Sequence, residues 1–161
     1  MSAHFGMIGL GTMGRNFTLN VASHGFEACG YDRDEKQRAR LLLEAEGMPV
    51  SIATSSAELV QQLQTPRIIM LLVPAGKIVD AVIDELLPQL SKGDVLIDGG
   101  NSHYIDTDRR YNALQNSGVH FIGMGVSGGE EGARYGPSMM PGGNKESYEL
   151  VKNILEAVSA K

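Results

Sequence analysis

The hexapeptide GLGTMG, Gly9 to Gly14, spaces three glycines as G-x-G-x-x-G, and Asp32 follows the last of them by 18 residues. That spacing suits a dinucleotide. Gly9 permits a tight turn, Gly11 lets the backbone approach a pyrophosphate, and Gly14 lets a helix pack closely on the preceding strand. A helix opening at this turn would aim unpaired amide hydrogens and a partial positive charge at the phosphates. The acid at the end of the next strand would meet the ribose, but here it stands beside a base, in YDRDE at residues 31–35. Asp32 would accept a bond from a free 2′-hydroxyl, whereas the planar fork of Arg33 suits a 2′-phosphate. Each has a plainer reading as well: Asp32, with Glu35 three positions on, fits a helix N-cap, and Arg33 fits a surface arginine.

Two further stretches carry polar groups into glycine-rich turns. In LIDGGNS, Leu96 to Ser102, an apolar run ends in Asp-Gly-Gly-Asn. Asn101 can donate and accept at once, as a residue touching both a cofactor and a hydroxylated substrate must, and it equally fits a turn position with left-handed backbone. Gly125 to Gly143 holds seven glycines and two prolines in nineteen residues. That composition predicts no ordinary helix or strand, while glycines beside Ser127 would present backbone amides to an anion. Glu130 and Glu131 have no histidine or cysteine near them at ligand spacing, so no metal site is expected. His4, His24, His103 and His120 form no spaced pair.

The elements that must position these groups alternate strand and helix. Strands are expected at His4–Gly9, Phe26–Tyr31, Val50–Ala53, Arg67–Val73, Asp94–Asp98 and Val119–Gly125. Met13, Phe17 and Val21, four apart, mark one face of a helix from Thr12 to about His24. Asp34–Glu46 has helical composition, and Ser55 with Glu58 forms a capping-box signature for a helix to about Leu63. Ile78, Val79, Val82, Ile83, Leu86, Leu87 and Leu90 repeat at helical spacing, with Pro88 placed to kink or end that helix. Asp106–Asn116 and a segment marked by Tyr148, Val151, Leu155 and Val158 complete the set. RIIMLLV, residues 67–73, is apolar at nearly every position, as expected of a central strand covered on both faces. The order predicts an α/β fold of Rossmann type, a doubly wound, mainly parallel sheet with helices on both faces.

Composition narrows the partners. A length of 161 residues suits one domain, and 42 % apolar with 20 % charged residues is ordinary for a globular chain. The formal net charge of −5 and the scatter of basic residues, Arg109-Arg110 being the only adjacent pair, exclude a nucleic-acid surface. No apolar run approaches a membrane span and no signal peptide precedes the first strand, so a soluble cytoplasmic protein is expected. Cys29, the single cysteine, is expected to be a buried reduced thiol.

GLGTMGRNFTLNVASHGF, DVLIDGGNSHYIDTDRR and GVSGGEEGARYGPSMMPGGNKE together resemble the N-terminal cofactor domain of the 6-phosphogluconate dehydrogenase family, over essentially the whole chain. The resemblance implies the pentose phosphate pathway and gluconate utilization: oxidation of 6-phosphogluconate at C3 with hydride transfer to NADP, then loss of CO2 to give ribulose 5-phosphate. It implies that Gly9, Leu10, Gly11, Thr12 and Gly14 hold the pyrophosphate, that Met13 lies near the nicotinamide, and that Val73, Pro74 and Ala75 border the cofactor. Asn101 would touch cofactor and substrate, and Ser127, Gly128 and Gly129 would contact the substrate. Family members more often carry Asn-Arg-Thr where this chain has Asp32, Arg33 and Asp34, and a polar residue in place of Pro74. NADP is expected because Arg33 is retained, with NAD or dual use as the alternative. The family's lysine base and glutamate acid, and the all-helical domain that completes the pocket and the homodimer, fall after the last residue of this sequence. The 161-residue chain, as a monomer, is therefore expected to bind cofactor but to be inactive. Another 3-hydroxyacid dehydrogenase, of the 3-hydroxyisobutyrate type, and a non-catalytic dinucleotide-sensing module are the competing readings.

Overall fold

The computed structural model describes residues 2–160. The apolar runs become strands at Phe5–Ile8 (β1), Ala28–Tyr31 (β2), Val50–Ile52 (β3), Ile68–Leu71 (β4), Val95–Asp98 (β5), His120–Ser127 (β6) and Ser138–Gly142 (β7). A helix follows each strand, at Thr12–Ser23 (α1), Glu35–Glu44 (α2), Ser56–Gln62 (α3), Lys77–Leu86 (α4), Tyr104–Leu114 (α5), Gly129–Tyr135 (α6) and Lys145–Val158 (α7). One sheet collects all the strands in the order β3-β2-β1-β4-β5-β6-β7. Its pairings are parallel except the last, where β7 runs antiparallel along β6 with Gly125 opposite Met140. β4 stands at the centre, as its unbroken apolar run requires.

Because side chains alternate across a pleated strand, neighbouring residues feed different cores. Met7, Met70, Ile97 and Ile122 pack with Phe17 of α1, Leu41 of α2 and Val151 of α7. Ile8, Ile69, Leu96 and Phe121 pack on the other face with Leu59 of α3, Val79 of α4 and Leu114 of α5. This is the doubly wound arrangement expected. Among the described residues no helix is long and apolar enough to cross a membrane.

Local chemistry departs from expectation at the ends of elements. Asp34, not Asp32, caps α2, its carboxylate accepting from the Lys36 amide at 2.9 Å. Ser55 caps α3 through the Glu58 amide, but the Glu58 carboxylate completes no box and bonds Thr54 and Gln62 instead. Pro88 ends α4: the helix stops at Leu86 and a 3-10 turn follows. α5 starts at Tyr104, two residues before the expected position, because His103 serves as its cap.

The largest correction lies in the stretch 125–143, which holds α6 and β7 rather than an irregular segment. Gly128 and Gly136 bracket α6 with φ of 126° and 155°, backbone that side chains disfavour, and the residues between them are free to be helical. Asn20 anchors that helix. Its buried amide donates to the carbonyls of Ala133 in α6, at 3.1 Å, and Val158 in α7, at 3.0 Å. Pro141 sits in β7, and β7 ends the strand order, the position at which proline's missing donor costs least.

Cys29 is fully buried, and its thiol donates to Gln62 Oε1 at 3.2 Å. Burial pushes the thiol pKa from 9.0 up to about 11. At pH 8 the folded chain should therefore alkylate at least ~100-fold more slowly than the urea-unfolded chain, since only thiolate reacts. Equal rates in iodoacetamide labelling would show that this strand opens freely.

Candidate functional site

β1, β2, β4, β5 and β6 are parallel, so the loops after them emerge on one edge of the sheet. The chain winds from β1 outward through β2 and β3, then returns to β4 on the other side of β1. A crevice opens where the winding reverses, and ligands of open α/β sheets bind there.

The glycine turn forms one lip. The Gly9 amide donates to Tyr31 O at 2.9 Å with φ of 99°, and a Cβ there would run into the Leu72 carbonyl. A Cβ on Gly14 would fall inside the Gly9 carbonyl. Gly11 differs from both. It is exposed, its φ is −63°, and an added Cβ would meet nothing within 4 Å. Neither packing nor backbone demands glycine there; the missing side chain keeps space clear above the first turn of α1. Gly11 also supplies no side-chain cap, which leaves the first-turn amides for an anion.

Asp32 closes the lip from β2. Its Oδ2 accepts from the Leu10 amide and its Oδ1 from the Asp34 amide, both at 2.8 Å. Arg38 Nη1 donates to the carbonyls of Asp32, at 2.8 Å, and Arg33, at 3.3 Å, which holds this loop in place. Arg33 is exposed, and its guanidinium has no ion-pair partner among the described residues.

A cleft of about 490 Å³ brings Gly9, Gly11, Asp32, Arg33, Asp34, Val73 and Pro74 together, with Ile78 and Val82 of α4 among its apolar residues. The other expected residues sit around it. Leu10 is buried and its amide is held by Asp32, Thr12 is exposed, and Met13 is half-buried against the core. Ala75 is exposed beyond Pro74. Asn101 lies apart, in a second cleft of about 310 Å³ shared with Tyr104, Thr107, Gly123 and Gly125. Ser127, Gly128 and Gly129 end β6 and open α6, exposed on the same edge but lining neither cleft.

A buried charge network supports both loops, and sequence reasoning missed it. Arg110 Nε donates to Asp80 Oδ1 at 2.8 Å, Nη1 to Ser102 Oγ at 3.0 Å and Asp98 Oδ2 at 3.4 Å, and Nη2 to Gly76 O at 3.0 Å. The Ser102 hydroxyl donates to Asp98 Oδ2, and the Gly100 amide donates to Oδ1 at 3.0 Å. The side chains of Arg110 and Asp98 are 2 % and 1 % exposed. Hydrogen bonding from Arg110, joined by Arg109, holds the Asp80 pKa down to about 2. The adjacent arginines were visible in the sequence only as a small local charge; the residues Arg110 holds lie 8 to 34 positions away.

Comparison with known proteins decides the family. A family model described as the NAD binding domain of 6-phosphogluconate dehydrogenase matches residues 4–161. The chain belongs to this family. It is 52 % identical, over all of its length, to the decarboxylating 6-phosphogluconate dehydrogenase 1 of Saccharomyces cerevisiae, and 56 % identical, over 97 % of its length, to the NADP(+)-dependent decarboxylating enzyme of Bacillus subtilis. It spans about a third of the length of these curated relatives, 33 % in each case. A solved 6-phosphogluconate dehydrogenase, that of Plasmodium falciparum, superposes with a TM-score of 0.95 at 42 % identity, covering 98 % of this chain and 34 % of that one. The 3-hydroxyisobutyrate dehydrogenase of Salmonella typhimurium, at 23 % identity and a TM-score of 0.85 over 99 % of this chain and 55 % of its own, shares the fold. In this member of the family the glycine turn and the Asn101 loop lie on one edge of one sheet.

Proposed function

We propose that residues 1–161 form the dinucleotide-binding domain of a cytoplasmic, NADP-dependent, decarboxylating 6-phosphogluconate dehydrogenase of the pentose phosphate pathway. The observation that carries this reading is the cleft at the winding reversal, with open space over Gly11 and unpaired Arg33 on one rim. Family membership and the names of the relatives support the substrate and the reaction.

The residues fit a dinucleotide. The turn offers the backbone amides from Gly11 to Gly14, Thr12 included, to the pyrophosphate, while Gly9 and Leu10, whose amides are held by Tyr31 O and Asp32, fix its shape, and Met13 lies beside the nicotinamide end. Arg33 takes the 2′-phosphate, and Asp34 holds the loop by capping α2. Both Asp32 oxygens already accept backbone amides, so its carboxylate ties β2 to the turn and leaves phosphate recognition to its neighbour. Val73, Pro74 and Ala75 border the cofactor. Asn101 orients the sugar acid against it, and Ser127, Gly128 and Gly129 contact the substrate. When bound, NADP supplies the hydride acceptor for oxidation at C3.

Neither cleft is lined by a lysine or a histidine. The carboxylates and tyrosines that do line them, Asp32, Glu85, Tyr104 and Asp108 among them, are not assigned the proton transfers that oxidation and CO2 loss require. The 161-residue chain alone binds cofactor without turnover, and the full-length enzyme acts as a homodimer.

Fluorescence titration with NADPH and NADH, repeated on Arg33→Ala, tests the reading. NADPH should bind tighter than NADH, and the substitution should weaken NADPH by about 10-fold or more, the range for a lost charge-assisted bond. The unaltered chain should form no ribulose 5-phosphate from 6-phosphogluconate and NADP. NADH binding equal or tighter, indifferent to Arg33→Ala, would assign the ribose to Asp32 and overturn the NADP reading.

A further inference from the structure

We propose that Arg110 is a positioning residue that locks the loop after β5 to the loop after β4, so that Asn101 and the segment Val73–Ala75 keep a fixed spacing beside the second half of a dinucleotide. The inference rests on the dinucleotide reading above.

The two loops leave the sheet side by side, the Gly99 amide donating to Leu71 O at the end of β4 at 2.9 Å, and they meet backbone to backbone where a Cβ on Gly100 would stand 2.6 Å from Val73 O. Arg110 fastens that contact from below. Nη2 holds the carbonyl of Gly76, at the end of the β4 loop, and Nη1 holds Ser102 and Asp98, which bracket the β5 loop. Asp98 extends the hold to the Gly100 amide. Nε is fixed by Asp80 in the first turn of α4. One planar fork thus reaches four acceptors on three elements, a geometry that the compact ammonium of lysine cannot reproduce.

A second observation marks the backbone where the clamp acts. Asn101 has φ of 58°, the one positive φ at a non-glycine residue among those described. Side chains held in that sparsely populated region persist where the surroundings over-determine them. Arg110 reaches Asn101 only through its neighbours, so its role is to position.

The winding order separates this effect from a general loss of folding. A dinucleotide lying across the crevice puts its adenosine half on the β2 side, beside Arg33, and its other half toward β4 and β5. Adenosine 2′,5′-bisphosphate carries only the first half, and NADPH carries both. Calorimetric titration of the chain, of Arg110→Lys and of Ser102→Ala with each ligand reads the difference.

Both variants should bind adenosine 2′,5′-bisphosphate within about twofold of the parent, while NADPH weakens by about fivefold or more, the lower end of typical coupling between sites. Parallel weakening of both ligands would reduce Arg110 to a structural ion pair and overturn the clamp. Unchanged NADPH affinity in both variants would overturn it too. Should Arg110→Lys fail to fold, Ser102→Ala decides alone, because it removes one hydroxyl from the network and leaves the buried ion pair. A parent chain that binds neither ligand would refute the dinucleotide reading and this inference with it; binding that ignores the variants would refute only the clamp.

Discussion

Arg110→Met should destabilise the domain by ~3–5 kcal/mol, the cost of leaving a buried charge without its partner. The abandoned charge is Asp98, whose side chain is 1 % exposed. Methionine keeps most of the stem's packing, so the loss reports on charge rather than on a cavity. Asp98 would retain the Gly100 amide and the Ser102 hydroxyl, which satisfy lone pairs without supplying a counter-charge. Urea unfolding provides the measurement: with a slope of ~1–3 kcal/mol per molar, the midpoint should fall by about 2 M. The double variant Asp98→Asn/Arg110→Met should recover a large part of that loss, because an amide carries no charge, its oxygen can accept from the Gly100 amide and its NH2 can donate to the Ser102 hydroxyl. A single variant within ~1 kcal/mol of the parent would show that water reaches Asp98 and that the pair is worth little more than a surface bridge.

Gly14→Ala is the second large effect expected, and it should combine lost stability with lost binding. The added methyl falls inside the Gly9 carbonyl, and backbone meets backbone there, so no side chain can rotate away. Either α1 lifts from β1 or the turn opens. Overpacking of this kind costs ~1–3 kcal/mol or more, and displacing the turn amides should weaken NADPH by at least ~10-fold, about 1.4 kcal/mol. Gly11→Ala is the control that separates the two effects. With nothing within 4 Å of the new Cβ and an ordinary φ of −63°, it should unfold at the parent temperature, yet its methyl occupies the space left for the ligand. NADPH binding by Gly11→Ala at full affinity would place the pyrophosphate elsewhere; a Gly14→Ala chain that melts and binds like the parent would show that the turn relaxes freely.

Much of the fold was legible because its signals are local. The apolar run at 67–73 declared a central strand, and β4 is central because both of its faces are covered. The hexapeptide at residues 9–14 announced a strand, a turn and a helix in that order, since steric exclusion at Gly9 and Gly14 acts within a few residues. Cys29, in an apolar strand, is buried as its surroundings implied.

The stretch 125–143 was misread for a physical reason. Composition averages over a segment, whereas backbone freedom acts one residue at a time. Gly128 and Gly136 absorb the unusual angles, so that Gly129–Tyr135 forms a helix and Ser138–Gly142 an edge strand. What holds α6 in place is Asn20, 113 positions earlier. Separation in sequence hid the clamp as well, because nothing in an Arg-Arg pair says which buried carboxylate it will meet. At Asp32 the residue itself was found, but its partners, the amides of Leu10 and Asp34, follow from the close approach of the glycine turn to β2.

By itself the sequence determined the alternation of elements, the identity of the turn, and the polar residues that follow the strand ends, for each depends on side-chain periodicity or on sterics between near neighbours. Only the tertiary structure decided that the Asn101 cleft stands apart from the Arg33 cleft, that Asp32 is held by backbone amides, and that one buried guanidinium joins two loops. Those facts depend on which strand ends lie side by side, and strand order is chosen by the burial of both faces of the whole sheet rather than by any single segment.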